Sequence, residues 1–232
     1  MAREPGPTVA MVHATPAAIA PAVAAFGEGF PEAGLWHLLD DRLVTDAEAA
    51  GGLVAPLRRR MLTLIGHAVS GGADGVLLTC SMYGPVARLA GHLWERPVMG
   101  SDEAMFERVA AKRPQRVAVL GSLEAAVADS TARLREALAE GAADRTGPGP
   151  EVVGLLSPGA AAAACDGDRD ALLASLRSAA EPLAGKADLF LLGQYSLTGV
   201  RAELETALGA PVWSPPQVAA ELLRRRLPPP GP

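Results

Sequence analysis

The stretch Gly72–Pro85, GADGVLLTCSMYGP, decides how the chain is read. Val76-Leu77-Leu78 is an apolar run too short for a helix that stands alone. It is bounded by Gly71-Gly72 on one side and Gly84-Pro85 on the other. That pattern predicts a buried parallel strand running into a tight turn. Cys80 falls where the strand ends, and Ser81, Met82 and Tyr83 lead into a helix expected over Pro85–Trp94. In an open α/β sheet, ligands bind beyond the carboxyl ends of the strands. A helix N-terminus there offers N–H groups to a carboxylate or phosphate. The same field favours a thiolate and makes Cys80 a usable acid, base or nucleophile. A small buried hydrophobe is the competing reading of the same cysteine.

The whole chain narrows the choices. With 232 residues, 20% charged and 49% hydrophobic, it is a folded globule with ample core. A net charge of -5 argues against a nucleic-acid binder, which needs a basic face. No apolar run is long enough for a transmembrane helix, and MAREPGPT at the N-terminus lacks the apolar centre of a signal peptide. Two cysteines in such a chain are expected to be free thiols in a reducing cytoplasm. A homodimer is an option the sequence leaves open.

Strands are expected at Thr8–Val12, Gly34–Leu39, the Cys80 segment and Pro97–Met99. A helix from Pro16 to Phe26 takes Thr15 as its N-cap, and a second runs from Asp46 to Val69. Arg58-Arg59-Arg60 within it reads as a solvated face. The pattern then restarts. Arg116–Leu120, Glu151–Leu155, Ala187–Leu192 and Pro211–Trp213 read as strands. Leu123–Ala142, Asp168–Ala184, Thr198–Leu208 and Gln217–Leu227 read as helices. A turn-rich loop is expected over Asp144–Pro150, a loose arm over residues 1–7 and a frayed tail over 228–232.

Shifting residues 73–98 by 114 lays them on 187–212 without a gap. Ala73/Ala187, Asp74/Asp188, Leu77/Leu191, Leu78/Leu192, Val86/Val200, Pro97/Pro211 and Val98/Val212 are identical. Cys80 falls on Gln194 and Ser81 on Tyr195. A second match, Val9-Ala10 with Val117-Ala118, has an offset of 108. The matching order of strands, turns and helices implies an α/β fold of two pseudo-symmetric lobes with mainly parallel sheets and an active site in the cleft between them. The first lobe is expected over 8–104 plus 213–227, the second over 105–212. One doubly wound sheet is the competing architecture.

On these residues the chain resembles the aspartate/glutamate/hydantoin racemase superfamily, which also contains arylmalonate decarboxylases and maleate isomerases. The resemblance rests on VAMVHATP at the first strand, LLDDRL at 38–43, GADGVLLTCSMYGP, VAVLGS at 117–122 and ADLFLLGQYSLTGV at 187–200. It implies chemistry at the carbon next to a carboxylate without pyridoxal phosphate or metal, so no cofactor. It also implies one cysteine at each of two strand-end motifs. Cys80 matches the first. The second holds Gln194, whose amide has no proton to exchange in the useful range.

Removing a proton next to a carboxylate creates an enediolate, whose charge must be met by donors already in place. Candidates are Ser81 and the N–H groups of Ser81 and Met82, Gly121-Ser122, and Gln194-Tyr195-Ser196. His13, ending the first strand, is expected beside Cys80 if their strands are neighbours, where an imidazole could take the thiol proton. Asp40 or Asp41 could orient it. His37, His67 and His92 are expected at the surface, and Cys165 is expected to be structural and buried. No H-x-x-x-H or C-x-x-C occurs. The Asp166/Asp168/Asp170 alternation lacks the Gly and Glu of a calcium loop. The expected function is a cofactor-independent racemase or isomerase of a small carboxylate. A single-cysteine decarboxylase of a malonate-like acid and a non-catalytic carboxylate-binding protein are the alternatives.

Overall fold

The computed structural model describes residues 6–140 and 149–227. The expected arm at 1–5, the loop at 144–148 and the tail at 228–232 lie outside them. Two compact units are present, one formed by residues up to 104 together with those from 216 onward, the other by 105–215. Each holds one four-stranded parallel sheet, so the fold is α/β with two lobes.

In the first unit β1 (Thr8–His13), β2 (Gly34–Leu39), β3 (Gly75–Leu78) and β4 (Val98–Met99) lie in the order β2-β1-β3-β4. The intervening helices are α1 (Ile19–Gly29), α2 (Leu43–Ala49), α3 (Ala55–Ser70) and α4 (Gly84–Ala90). In the second unit α5 (Glu103–Lys112) leads into β5 (Arg116–Gly121). Then come α6 (Glu124–Glu140), β6 (Glu151–Leu156), α7 (Ala160–Asp166), α8 (Arg169–Ala180), β7 (Leu189–Leu192), α9 (Arg201–Leu208) and β8 (Val212–Trp213). The strand order is β6-β5-β7-β8, the same as in the first unit. Helix α10 (Pro215–Arg226) closes the chain and packs on the first unit, where Leu223 and Leu227 cover Gly75. No described helix is long and apolar enough to cross a membrane.

The 108- and 114-residue shifts carry over to the strand pairing. Val9 pairs with Gly75 and Val117 with Leu189; Val76 pairs with Val98 and Phe190 with Val212. The Asp74/Asp188 identity has a physical reason. Asp74 Oδ2 accepts the Thr8 N–H at 2.9 Å, and Asp188 Oδ2 accepts those of Gln115 and Arg116 at 2.7 and 2.8 Å. Each carboxylate thus satisfies the first N–H of the neighbouring strand, which otherwise has no ladder partner there.

Strand alternation divides each sheet into two faces. In the first unit Ala10, Val12, Val76 and Leu78 pack with Leu43, Met61, Ile65, Tyr83, Val86 and Ala87 of the α2–α4 side. In the second, Ala118, Leu120, Phe190 and Leu192 pack with Ala160, Leu172, Leu176 and Leu204 of α7–α9. Both β3 and β7 are buried along their whole length, which is why they read as unbroken apolar runs.

Several expectations are corrected. The helix expected over Asp46–Val69 is two helices. Gly51 and Gly52 take φ of +71° and +136°, where a side chain is strained, and Pro56 restarts the chain as α3. Helices α5 and α7 were not expected. The α8 helix ends at Ala180, because Pro182 tightens the next three residues into a 3₁₀ turn. Three-residue 3₁₀ turns also precede α1 and α4, and Thr15 makes no side-chain cap. Cys165 sits exposed on α7 rather than buried.

Candidate active site

The candidate residues lie in the turns that follow the strands, and each unit has its own set. In the first unit Cys80 lies two residues past β3, in extended conformation, as the cap of a 3₁₀ turn over Ser81–Tyr83 that runs straight into α4. The opening N–H groups of such a helix have no acceptor within it. Cys80 is half-buried and, with Met82, packs against the α2–α4 side of the sheet. Tyr83 ties this turn to the next one. Its N–H donates to the Cys80 carbonyl at 3.2 Å, and its fully buried hydroxyl donates to the Leu43 carbonyl at 3.0 Å. Leu43 N–H in turn donates to the Asp40 carbonyl at 3.2 Å. Burial, then the charge of the neighbouring Cys80, push the Tyr83 phenol up to about 12. It therefore stays a protonated donor.

Asp40 follows β2, aligned by its N–H to the His13 carbonyl at 3.1 Å. Its carboxylate receives Arg60 of α3 in a two-pronged pair, Nε to Oδ2 and Nη2 to Oδ1, both 2.5 Å. Arg60 Nη1 holds Asp46 Oδ2 at 2.7 Å, and that guanidinium keeps the Asp46 carboxyl below its ordinary value. Arg60 is thus not part of a solvated basic face. All three of its nitrogens are committed to two carboxylates.

His13 is the sharpest departure from the sequence expectation. Its strand does neighbour that of Cys80, with Val12 opposite Leu78. But alternation places His13 and Thr79 on one face and Leu78 and Cys80 on the other. His13 Nδ1 meets Thr79 Oγ1 at 2.9 Å and Nε2 meets His37 Nδ1 at 3.0 Å. Both ring nitrogens are therefore occupied, and neither is offered to the thiol. The ring is 0% exposed. Burial first, and the charge of His37 second, lower its pKa from 6.5 to about 4, so it is neutral at pH 7. His37 itself is exposed but stacks on His13, with ring centroids 5.2 Å apart.

In the second unit Gly121 ends β5 in the place of His13, and Gly193 follows β7 in the place of Thr79. Gln194 stands where Cys80 stands. Its Oε1 accepts both the Ser122 N–H at 2.8 Å and the Ser122 hydroxyl at 2.9 Å. A Cβ at Gly121 would lie 2.7 Å from Val127 Cγ2. Tyr195 is buried and Ser196 half-buried in the 3₁₀ turn Tyr195–Val200. Ser157, after β6, bonds Ser175 Oγ at 2.8 Å. This half carries no charged residue in its strand-end turns.

The candidates therefore divide in two: His13, Asp40, Cys80, Ser81 and Met82 in one unit, Gly121, Ser122, Gln194, Tyr195 and Ser196 in the other. Sequence reasoning missed His37, Thr79, Arg60 and the bridging part of Tyr83. An arginine one turn into α3 facing LLDD at 38–41 was the available signal for Arg60. Asp168 is the N-cap of α8, accepting the Ala171 N–H at 3.0 Å. Among the described residues no group of three or more His, Cys, Asp and Glu is placed to hold a metal ion.

A family model described as Asp/Glu/hydantoin racemase matches residues 8–223. No curated protein matches the sequence. Among solved structures, an allantoin racemase from Klebsiella pneumoniae is 17% identical, covers 94% of this chain and 86% of its own, and superposes with a TM-score of 0.69. A glutamate racemase isoform from Bacillus anthracis is 13% identical over 95% of this chain and 81% of its own, with a TM-score of 0.70. An aspartate racemase from Picrophilus torridus is 13% identical over 97% and 96%, with a TM-score of 0.67. At such identities the structures speak for the fold, and the family match spans almost the whole sequence: the chain belongs to the Asp/Glu/hydantoin racemase family.

Proposed function

We propose that the chain is a cofactor-independent racemase or isomerase of a small acid, in which Cys80 exchanges a proton with the carbon next to the carboxylate. The observation that carries this is the place of Cys80: the half-buried residue between a parallel strand and the helical turn that follows it, in a chain of this family. As a thiolate Cys80 takes the proton. The C–H bond breaks, an S–H bond forms and the electron pair moves into an enediolate. The opening N–H groups at Ser81 and Met82 are donors suited to that charge. A proton from water then adds to the opposite face of the carbon, the S–H proton passes to solvent, and the thiolate is restored with the other enantiomer formed. A catalytic thiol of this kind suits a reducing cytoplasm.

Decarboxylation of a malonate-like acid is a second reading, favoured by one observation. The position equivalent to Cys80 is Gln194, which cannot trade a proton with carbon. Loss of carbon dioxide leaves a carbanion that one donor suffices to quench.

The test uses the purified chain in D₂O with chelator and without pyridoxal phosphate. Enantiopure amino acids, 5-substituted hydantoins and aryl- or alkylmalonates are supplied, and deuterium at the α-carbon, optical rotation and carbon dioxide are followed. Decay of rotation with deuterium entry is the expected result. Carbon dioxide release without racemization would select the second reading, and binding without any turnover would contradict both.

A further inference from the structure

Resting on that reading, we infer that the substrate carries no second carboxylate, and that Asp40, held by Arg60, is the residue that excludes one. It is an acid, or a hydantoin, with an uncharged side chain, in preference to aspartate or glutamate.

The argument begins with Tyr83. Its two hydrogen bonds stitch the Cys80 turn to the Asp40–Leu43 turn, and both turns follow the carboxyl ends of strands in one parallel sheet, β3 and β2, with β1 between them. The turn itself carries Asp40, Asp41 and Arg42, and Asp46 and Arg60 are ion-paired to them. The Asp40 side chain is 14% exposed, a carboxylate at the strand end rather than out in solvent. Arg60 reaches this turn from α3, and its Nε, Nη1 and Nη2 are all bonded to the two carboxylates of Asp40 and Asp46. The tight trio sums to one negative charge. Arg42 also reaches Asp46, at 3.2 Å, but its side chain is 73% exposed and screened by water.

The remaining strand-end turns of this unit, His13–Thr15 and Gly100–Asp102, supply no Lys or Arg, and His13 is neutral at pH 7. One carboxylate can be met by hydroxyls and N–H groups. A second would have to sit near that negative cluster, whose Arg60 is already bonded to two carboxylates, and like-charge contact of that kind is strongly unfavourable.

Isosteric pairs isolate the charge: glutamine against glutamate, asparagine against aspartate, and the hydantoins made from each. Deuterium entry at the α-carbon in D₂O is measured for both members, and thermal shift reports binding in parallel. The uncharged member is expected to exchange faster by about tenfold or more, the effect of one close like charge. Asp40→Asn, with its fold checked by circular dichroism, removes one negative charge from the trio and should shrink that ratio, whereas Asp40→Glu should keep it. Equal or better exchange of the dicarboxylates overturns the inference and leaves the isomerase reading standing. No exchange, with binding selective for the uncharged members, overturns the isomerase reading and leaves the inference. Neither exchange nor binding overturns both.

Discussion

The two units share strand order, register and even the aspartate that caps the neighbouring strand, yet they differ at nearly every residue past the strand ends. The first has His13, Thr79, Cys80 and Asp40; the second has Gly121, Gly193, Gln194 and Ser157. Where the first buries an imidazole joined to Thr79 and His37, the second closes the same space with Val127 against Gly121. Where the first offers a thiol, the second offers an amide pinned by Ser122. The fold was kept in both copies because backbone pairing and apolar faces specify it. The residues past the strand ends differ because those short turns carry neither the strand pairing nor the apolar faces.

The largest stability difference between the units should appear in acid. The folded-state pKa of His13 is depressed to about 4 from 6.5. The unfolded chain therefore binds a proton that the folded chain refuses. Its contribution is fully present above pH 6.5 and is lost as pH falls toward 4, amounting to about 3 kcal/mol at most. Amide hydrogen exchange followed unit by unit from pH 7 to 4 should show the first unit loosening and the second, with Gly121, holding. His13→Asn should flatten the slope. Parallel loosening of both units would break the comparison.

A smaller effect is expected from making the second unit resemble the first. Gly121→His would push a side chain into Val127, which already lies within 2.7 Å of where its Cβ would sit. Overpacking of this kind costs about 2 kcal/mol, read as a lower denaturant midpoint. An unchanged midpoint would mean the two pockets are interchangeable after all.

How far the sequence could be read follows from the kind of signal each feature leaves. β3 and β7 were legible because a strand buried on both faces is an apolar run. The repeat was legible because the β3–β4 stretch and the β7–β8 stretch align 114 residues apart without a gap. The break between α2 and α3 was not read, although Gly51-Gly52 and Pro56 marked it, because the flanking helical periodicity ran through it. Helix α7 is a row of alanines without a polar face, so it gave no period, and α5 was hidden between two strand signals.

At the site, the strand-end positions of Cys80 and Gln194 were legible, but the partner of His13 was not. Adjacent strands bring His13 and Cys80 together in sequence reasoning, and only the register, with Val12 opposite Leu78, reveals that their side chains leave the sheet on opposite faces. His37 lies 24 residues from His13 with no local pattern to link them.

The most direct measurement of which unit does the chemistry is α-proton exchange in D₂O by two variants made at equivalent positions, Cys80→Ala and Gln194→Ala. With a thiol as the sole exchanging group, Cys80→Ala should lose about a thousandfold or more of the exchange rate. Gln194→Ala should keep exchange from at least one enantiomer within about tenfold of the unaltered chain, since its amide moves no proton. Exchange that survives the loss of Cys80, or that vanishes with Gln194 alone, would contradict the account.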